Sequence, residues 1–150
     1  MKAFLRLAEP SPELKEWGLA VLRVVVGFTF LMHGWQKLFM LGLAGTVAMF
    51  GQMGVPVPEL TGPLVGALEL VGGAALLVGL GTRWLAALLA LDMLVAILLV
   101  HLPHGFFAPM GAELPLVLLG GAAALVLAGP GAFALDRLVA RSGEQVALAR

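Results

Sequence analysis

The sequence predicts an all-α fold, an integral membrane bundle of four antiparallel transmembrane helices, on three observations. First, 61% of the 150 residues are hydrophobic and only 12% are charged, with a mean hydropathy of +1.03. A soluble domain of this size carries about 25% charged residues. Half that supply cannot cover a globule, so the surplus apolar surface has to face lipid. Second, four apolar runs each approach the roughly 20 residues that cross about 30 Å of hydrocarbon. Third, these runs are continuous and lack the alternation of a barrel strand, and an open sheet would leave backbone groups unpaired in lipid.

The first span is expected over residues 17–39. The 16 residues before it, with Pro10, Pro12 and alternating charges, have no apolar core and no cleavage site, so they read as a cytoplasmic segment ahead of a retained span. Residues 40–59 are long enough to hold a short helix. The mildly apolar stretch 44–53 would form it, Gly54-Val55-Pro56-Val57-Pro58 would end it, and a re-entrant or interfacial position is expected. The second span, 60–80, runs into the turn Gly81-Thr82-Arg83; the third, 84–102, stops at Pro103. The fourth, 111–128, ends at Gly129-Pro130-Gly131, a strong helix stop. The membrane domain then covers 17–136, and 137–150 form a C-terminal tail.

Orientation follows from the basic residues. Lys2, Arg6, Lys15, Arg83, Arg137, Arg141 and Arg150, seven of the nine, fall on one side of this arrangement. Positive charge stays in the cytoplasm, so both ends are expected there, in the inner (cytoplasmic) membrane of a multi-pass protein. Trp17, Trp35 and Trp84 stand at or near predicted helix ends, where an amphipathic ring prefers the headgroup layer.

Composition also removes function classes. Net charge is zero, which gives no basic field for nucleic acid. The absence of cysteine removes disulfides, thiolate metal sites and dithiol chemistry by this chain itself. The three His residues form no i, i+4 ligand pair, so no metal site is expected. No nucleophile–base pair, phosphate loop or dinucleotide fingerprint is present, and no catalytic residue can be named.

Two polar groups stand out inside the apolar runs. At about 1.5 Å rise per residue, Arg23, Asp92 and Glu69 lie roughly 9, 12 and 16 Å from the cytoplasmic edge of three different spans. Ionisable groups at such depth need partners, and an intramembrane cluster of Arg23 with Glu69 and Asp92 is expected, as a register-fixing ion cluster or as a proton- or ligand-linked site. Glycines mark the same inward faces: Gly62, Gly66, Glu69 and Gly73 share one stripe of the second helix, and Arg23, Gly27, Phe30, Gly34 and Lys37 share one of the first. The other group, His33, Lys37, His101 and Glu113, lies toward the outer face, together with His104 and Glu59. It can bind an anion or headgroup, or consist of ordinary interfacial residues. A haem held by His33 and His101 is the weaker reading, since no supporting partners are legible around them.

At this point the residues resemble a known family. Leu22-Arg23-Val24-Val25-Val26-Gly27-Phe28 with His33-Gly34-Trp35-Gln36-Lys37-Leu38-Phe39 is similar to the first span of DoxX-type membrane proteins, and so is Phe50-Gly51-Gln52-Met53-Gly54-Val55-Pro56 to the segment that follows it. Glu69-Leu70-Val71-Gly72-Gly73, Leu80-Gly81-Thr82-Arg83, Glu113-Leu114-Pro115-Leu116 and Gly129-Pro130-Gly131 with Leu135-Asp136 follow in the family's order, over about residues 19–136. One departure is Ala134, where the family often has Ser. The resemblance implies a four-helix inner-membrane protein, with Arg23, Gly34, Lys37, Glu69, Glu113 and Asp136 as family positions. It also implies a link to quinone chemistry, since the family takes its name from subunits of a thiosulfate:quinone oxidoreductase.

The leading expectation is therefore a quinone- or lipid-binding subunit that works with a redox partner protein in respiratory or oxidative-stress chemistry, and not an enzyme alone. Quinone is the one cofactor this implies. Quinone reduction consumes protons, which gives a poised intramembrane acid a chemical reason to exist. The alternatives are a non-catalytic assembly or scaffold protein, and a small-solute or proton-coupled transporter acting as a homodimer.

Overall fold

The computed structural model describes residues 11–139. The expected segment 1–16 and tail 137–150 lie mostly outside these residues, and Lys2, Arg6, Arg141 and Arg150 lie outside them entirely. Five principal helices follow one another: α1, Pro12–Trp35; α2, Gly42–Gln52; α3, Pro58–Val78; α4, Thr82–Ala96; and α5, Glu113–Ala128. Among the described residues there is no strand. A π-helical turn, Gln36–Met40, prolongs α1, and a second, Ile97–His101, with a 3-10 turn, Leu102–His104, prolongs α4. With these extensions, Pro12–Met40, Pro58–Val78 and Thr82–His104 are long and apolar enough to cross a membrane.

The helix boundaries depart by a few residues from the hydropathy expectation, as in α3, Pro58–Val78 against the expected 60–80, and two of the shifts have clear physical reasons. The first helix begins at Pro12, five residues before the apolar run, because Ser11 accepts a hydrogen bond from the Leu14 N–H (3.3 Å), Pro12 opens the helix and Glu13 follows in its first turn. Hydropathy marks where lipid begins, whereas capping chemistry marks where the helix begins. The fourth apolar helix starts at Glu113, not at residue 111, and has 16 residues. At 1.5 Å per residue it is about 24 Å long, short of a full hydrocarbon thickness.

The long helices close into a ring in which α1 touches α3 and α5, and α4 touches α3 and α5, while α2 packs against α3 from outside. The core between them is formed by Val26, Phe30, Leu76, Ala86, Leu89, Met93, Leu118 and Leu125. The most extensive contact joins α1 to α3, which run antiparallel with Gly27 against Gly73 and Leu76, and Gly34 against Gly66 and Leu70. A Cβ placed on Gly34 would lie 2.6 Å from the Leu70 Cα and 2.8 Å from the Gly66 carbonyl oxygen. One on Gly73 would lie 2.7 Å from the Gly27 carbonyl oxygen. Backbone therefore rests directly on backbone, the arrangement that small residues permit in lipid, where packing drives association.

The α3–α4 connection is equally tight. Gly79 and Gly81 are left-handed (φ 72° and 59°), and the Leu80 N–H reaches back to the Ala75 carbonyl (2.9 Å), closing the end of α3.

Gly34→Ala should lower the apparent Tm in detergent by the equivalent of about 1–3 kcal/mol, the usual cost of overpacking. Gly120→Ala, where an added Cβ meets nothing within 4 Å, should be neutral or slightly stabilising. Equal Tm values for the two variants would show that the α1–α3 approach is not limiting.

Candidate functional site

The charges expected in one intramembrane cluster divide between two ends of the bundle. Helical side chains lean toward the N-terminus of their own helix. On α1 that direction carries Arg23 away from Glu69, and on the antiparallel α3 it carries Glu69 away from Arg23 and toward Lys37. The guanidinium of Arg23 accordingly donates to the carbonyls of Pro130 (2.7 Å) and Phe133 (3.5 Å), not to Glu69 or Asp92. The Lys37 ammonium pairs with the Glu69 carboxylate instead. Both side chains are largely enclosed, with 13% and 4% exposure.

Asp92 lies near this pair and interacts electrostatically with both partners. Its Oδ2 is buried and has no hydrogen-bond partner among the described residues. The charged residues that the structure brings together are therefore Lys37, Glu69 and Asp92, carried by α1's extension, α3 and α4. The π-helical turn shapes the site. The Leu41 N–H bonds the Gln36 carbonyl (2.9 Å), and the Lys37 carbonyl is taken by the fully buried hydroxyl of Thr46 on α2 (2.5 Å). Thr46 thus ties α2 to the cation. Its type and its place in a connecting segment carried no signal that would have singled it out beforehand.

The outer-face residues do not converge. Lys37 belongs to the pair with Glu69. His33 lines a shallow groove of about 250 Å³ with Met32, Gln36 and Met40. His101 Nδ1 hydrogen-bonds the Met110 carbonyl (2.8 Å), His104 Nδ1 the Val100 carbonyl (2.8 Å), and Glu113 accepts from the Ala108 N–H (2.9 Å). These are local contacts that fold the α4–α5 loop. Periodicity places residues on faces, but loop contacts are set by backbone geometry that it does not report.

At the other end Asp136 organises three segments. Its carboxylate accepts from the Gly81 N–H (2.6 Å) and the Thr82 N–H (2.9 Å), and its own N–H donates to the Gly79 carbonyl (2.9 Å). Gly81, which has no side chain to cap α4, is thus replaced in that role by a residue 55 positions later. Burial alone would raise the Asp136 pKa, but the hydrogen bonds from Thr82 and Gly81 and the charge of Arg23 outweigh it and hold the carboxyl below its ordinary range. Ala134, the departure from the family pattern, is buried and packs close to Gly79, where a Cβ would lie 2.6 Å from its own.

The family profile described as DoxX matches residues 18–102. The chain belongs to the DoxX family. Among its relatives, the Bacillus subtilis protein named "Putative oxidoreductase CatD" is 36% identical over 124 residues, 83% of this chain and 88% of the relative. The Escherichia coli "Inner membrane protein YqjF" is 36% identical over 129 residues, covering 85% of this chain and 95% of the relative. A Mycobacterium tuberculosis membrane protein is 34% identical over 131 residues, with 80% of each chain covered. No solved structure matches. Family membership and the three long apolar helices make this DoxX chain a membrane protein. The matched residues include Arg23, Lys37, Glu69 and Asp92, so both polar ends of α1 lie inside the family region, whereas Asp136 lies beyond it.

Two predictions follow from these contacts. Lys37→Met should leave an uncompensated carboxylate in the bundle and cost about 3–5 kcal/mol, while the double variant Lys37→Met/Glu69→Leu should recover most of that loss in thermal unfolding. A double variant as unstable as the single one would contradict the pairing. Asp136→Ala should cost about 0.5–2 kcal/mol as a lost cap. Because the folded-state pKa of Asp136 is depressed, its contribution is complete above about pH 4, the ordinary carboxyl value. It should fade as pH drops through the lower folded value, so the Tm difference between wild type and Asp136→Ala narrows only in that acid range.

Proposed function

We propose that this DoxX chain is an inner-membrane subunit that binds a quinone or lipid-like ring within its bundle and works beside a redox partner. The observation that carries the reading is the Lys37–Glu69 pair with the unpartnered Oδ2 of Asp92 next to it. Each unmet polar group in the interior costs free energy, and of the three buried side-chain atoms without a partner among the described residues, Arg23 Nε, Thr82 Oγ1 and Asp92 Oδ2, only the last is a carboxylate oxygen. A hydroxyl-bearing ring would satisfy Asp92, and the Lys37 ammonium supplies a donor for a ring carbonyl. Two carboxylates against one cation also leave room for a proton to be held or passed on, as quinone chemistry requires.

In this reading four helices cross the bilayer, α5 with the help of its flanking loops, and both termini face the cytoplasm. Helix α2 is re-entrant or interfacial and presses Thr46 against the site. Arg23 leaves the ligand-binding group that its depth suggested and acts as a brace at the cytoplasmic end. With no cysteine to hold an iron–sulfur cluster or a dithiol, the chain would take its electrons from a redox partner in this reading. The name of the Bacillus subtilis relative supports an oxidoreductase setting, and that of the Escherichia coli relative supports the inner membrane.

The test is purification in mild detergent followed by mass spectrometry of extracted small molecules. A stoichiometric quinone is expected in the wild type. Asp92→Asn should reduce quinone retention roughly tenfold or more, the value of a hydrogen bond to a charged group, without lowering Tm. Wild-type protein that carries only bulk phospholipid, or Asp92→Asn that retains quinone fully, would remove the quinone reading in favour of an assembly role.

A further inference from the structure

Helix α2 stands outside the ring of long helices and is held there lightly. Of its 11 residues only Thr46 and Phe50 are buried, and its main packing partners are α3 and the Gln36–Met40 turn. Apolar burial gains a helix little when its other faces meet lipid or headgroups, so specific contacts decide where it sits. A glycine in the left-handed region bounds α2 at either end, Gly42 (φ 71°) and Gly54 (φ 74°). A Cβ added to either would meet nothing within 4 Å. Glycine accepts φ of both signs, so the backbone turns at these points with no side chain to resist it. Hinges are built from such residues at the ends of elements.

The inner face of α2 continues the cover of one stripe of α3. Gly62 meets α2, where an added Cβ would lie 3.2 Å from the Thr46 Cγ2. Gly66 meets Leu38 and the Lys37 Cβ, and Glu69 meets the Lys37 ammonium. The stripe is therefore covered in turn by α2, by the π-helical turn and by the cation. One polar contact joins the first two covers. The Thr46 hydroxyl, donating to the Lys37 carbonyl (2.5 Å), bonds α2 to the backbone of the residue whose side chain makes the ion pair. Valine would offer Gly62 the same methyl without that bond. Apolar packing is non-directional and tolerates sliding, whereas an O–H···O=C bond fixes one seat.

We propose that α2 is a hinged lid on the end of the α1–α3 seam that carries the Lys37–Glu69 pair, and that Thr46 is its latch. Closed, the latch holds the Lys37 carbonyl within the π-helical turn and so positions the ammonium against Glu69. Released, α2 turns about Gly42 and Gly54, uncovers Gly62 and frees the turn that carries Lys37. Thr46 is thus a positioning residue that acts on the pair through Lys37. That the lid admits a quinone ring to the pair rests on the function proposed above; the lid and its latch rest on the contacts alone.

The chain contains no cysteine, so a single introduced thiol reports on its own position. The experiment is the rate at which N-ethylmaleimide labels the full chain in nanodiscs, with no quinone added. Phe50→Cys places a thiol on the buried face of α2. Val47→Cys, close in volume to the residue it replaces, places a second at a half-buried position, in case removal of the phenyl ring itself loosens the helix. Both should label more slowly than Gln52→Cys, which is exposed on the same helix. Adding Thr46→Val should speed both reporters roughly fivefold, the population shift that the loss of one hydrogen bond produces. Adding Thr46→Ser, which keeps the hydroxyl, should leave them near the parent rate. Val26→Cys, in the core, should stay slow throughout. Reporter rates that Thr46→Val leaves unchanged would overturn the lid. So would an equal acceleration at Val26→Cys, which would make the hydroxyl a general support of the fold. Because no quinone enters the measurement, a purified protein without quinone would remove the ring-binding reading and leave this result standing, and the reverse holds as well.

Discussion

Two helices that touch backbone to backbone leave no room for error in register, and in this DoxX chain the α1–α3 contact sets the position of everything else. Gly34 on one helix and Gly73 on the other allow no added Cβ without movement of the facing main chain, Gly27 lies almost as close to it, and Gly66 is closed off by the Leu38 side chain. With that crossing settled, Lys37 is brought level with Glu69, and Arg23 level with the end of α3. The remaining helices complete a ring around a core that Phe30, Leu76, Leu89 and Leu125 fill. In lipid there is little hydrophobic gain from helix association, so this close packing carries a burden that water expulsion would carry in a soluble bundle.

The division of charge along α1 follows from the same crossing combined with side-chain direction. Antiparallel helices point their side chains in opposite directions, so a cation near the far end of α1 leans inward and meets an acid leaning outward from α3. The cation nearer the start leans away from it and finds the carbonyls of the C-terminal segment. One end of the bundle thus holds an ion pair with an unmet acceptor beside it. The other end holds a clasp in which Arg23 and Asp136 join α1, the α3–α4 turn and the segment that follows α5. That clasp also presents the Trp17–Phe133 pair at the surface.

The two π-helical turns fit this pattern. Each widens its helix close to a charged residue that the helix carries, Lys37 within the first turn and Asp92 five residues before the second. In the first, the Lys37 carbonyl accepts the Thr46 hydroxyl from a different helix. Insertions of this kind recur at functional sites because they re-aim side chains without breaking the helix.

Read alone, the residues determined the solvent, the helical class and the inward faces. Apolar run length and the charge deficit demand a bilayer, and the glycine and charge spacing on α1 and α3 marks the stripes that are buried, because those properties are local and periodic. The termini of the first and fourth helices were less legible, since hydropathy measures lipid contact while Ser11 and Glu113 mark where helical hydrogen bonding begins. Which charges meet was decided by tertiary structure. Depth along separate helices made Arg23, Glu69 and Asp92 look like one group, but depth contains no information about the direction of a side chain or the register of a crossing. The Lys37–Glu69 pair, the Thr46 tie and the cap that Asp136 lends to α4 each join residues that are distant in sequence. Only the assembled chain brings them within hydrogen-bonding reach.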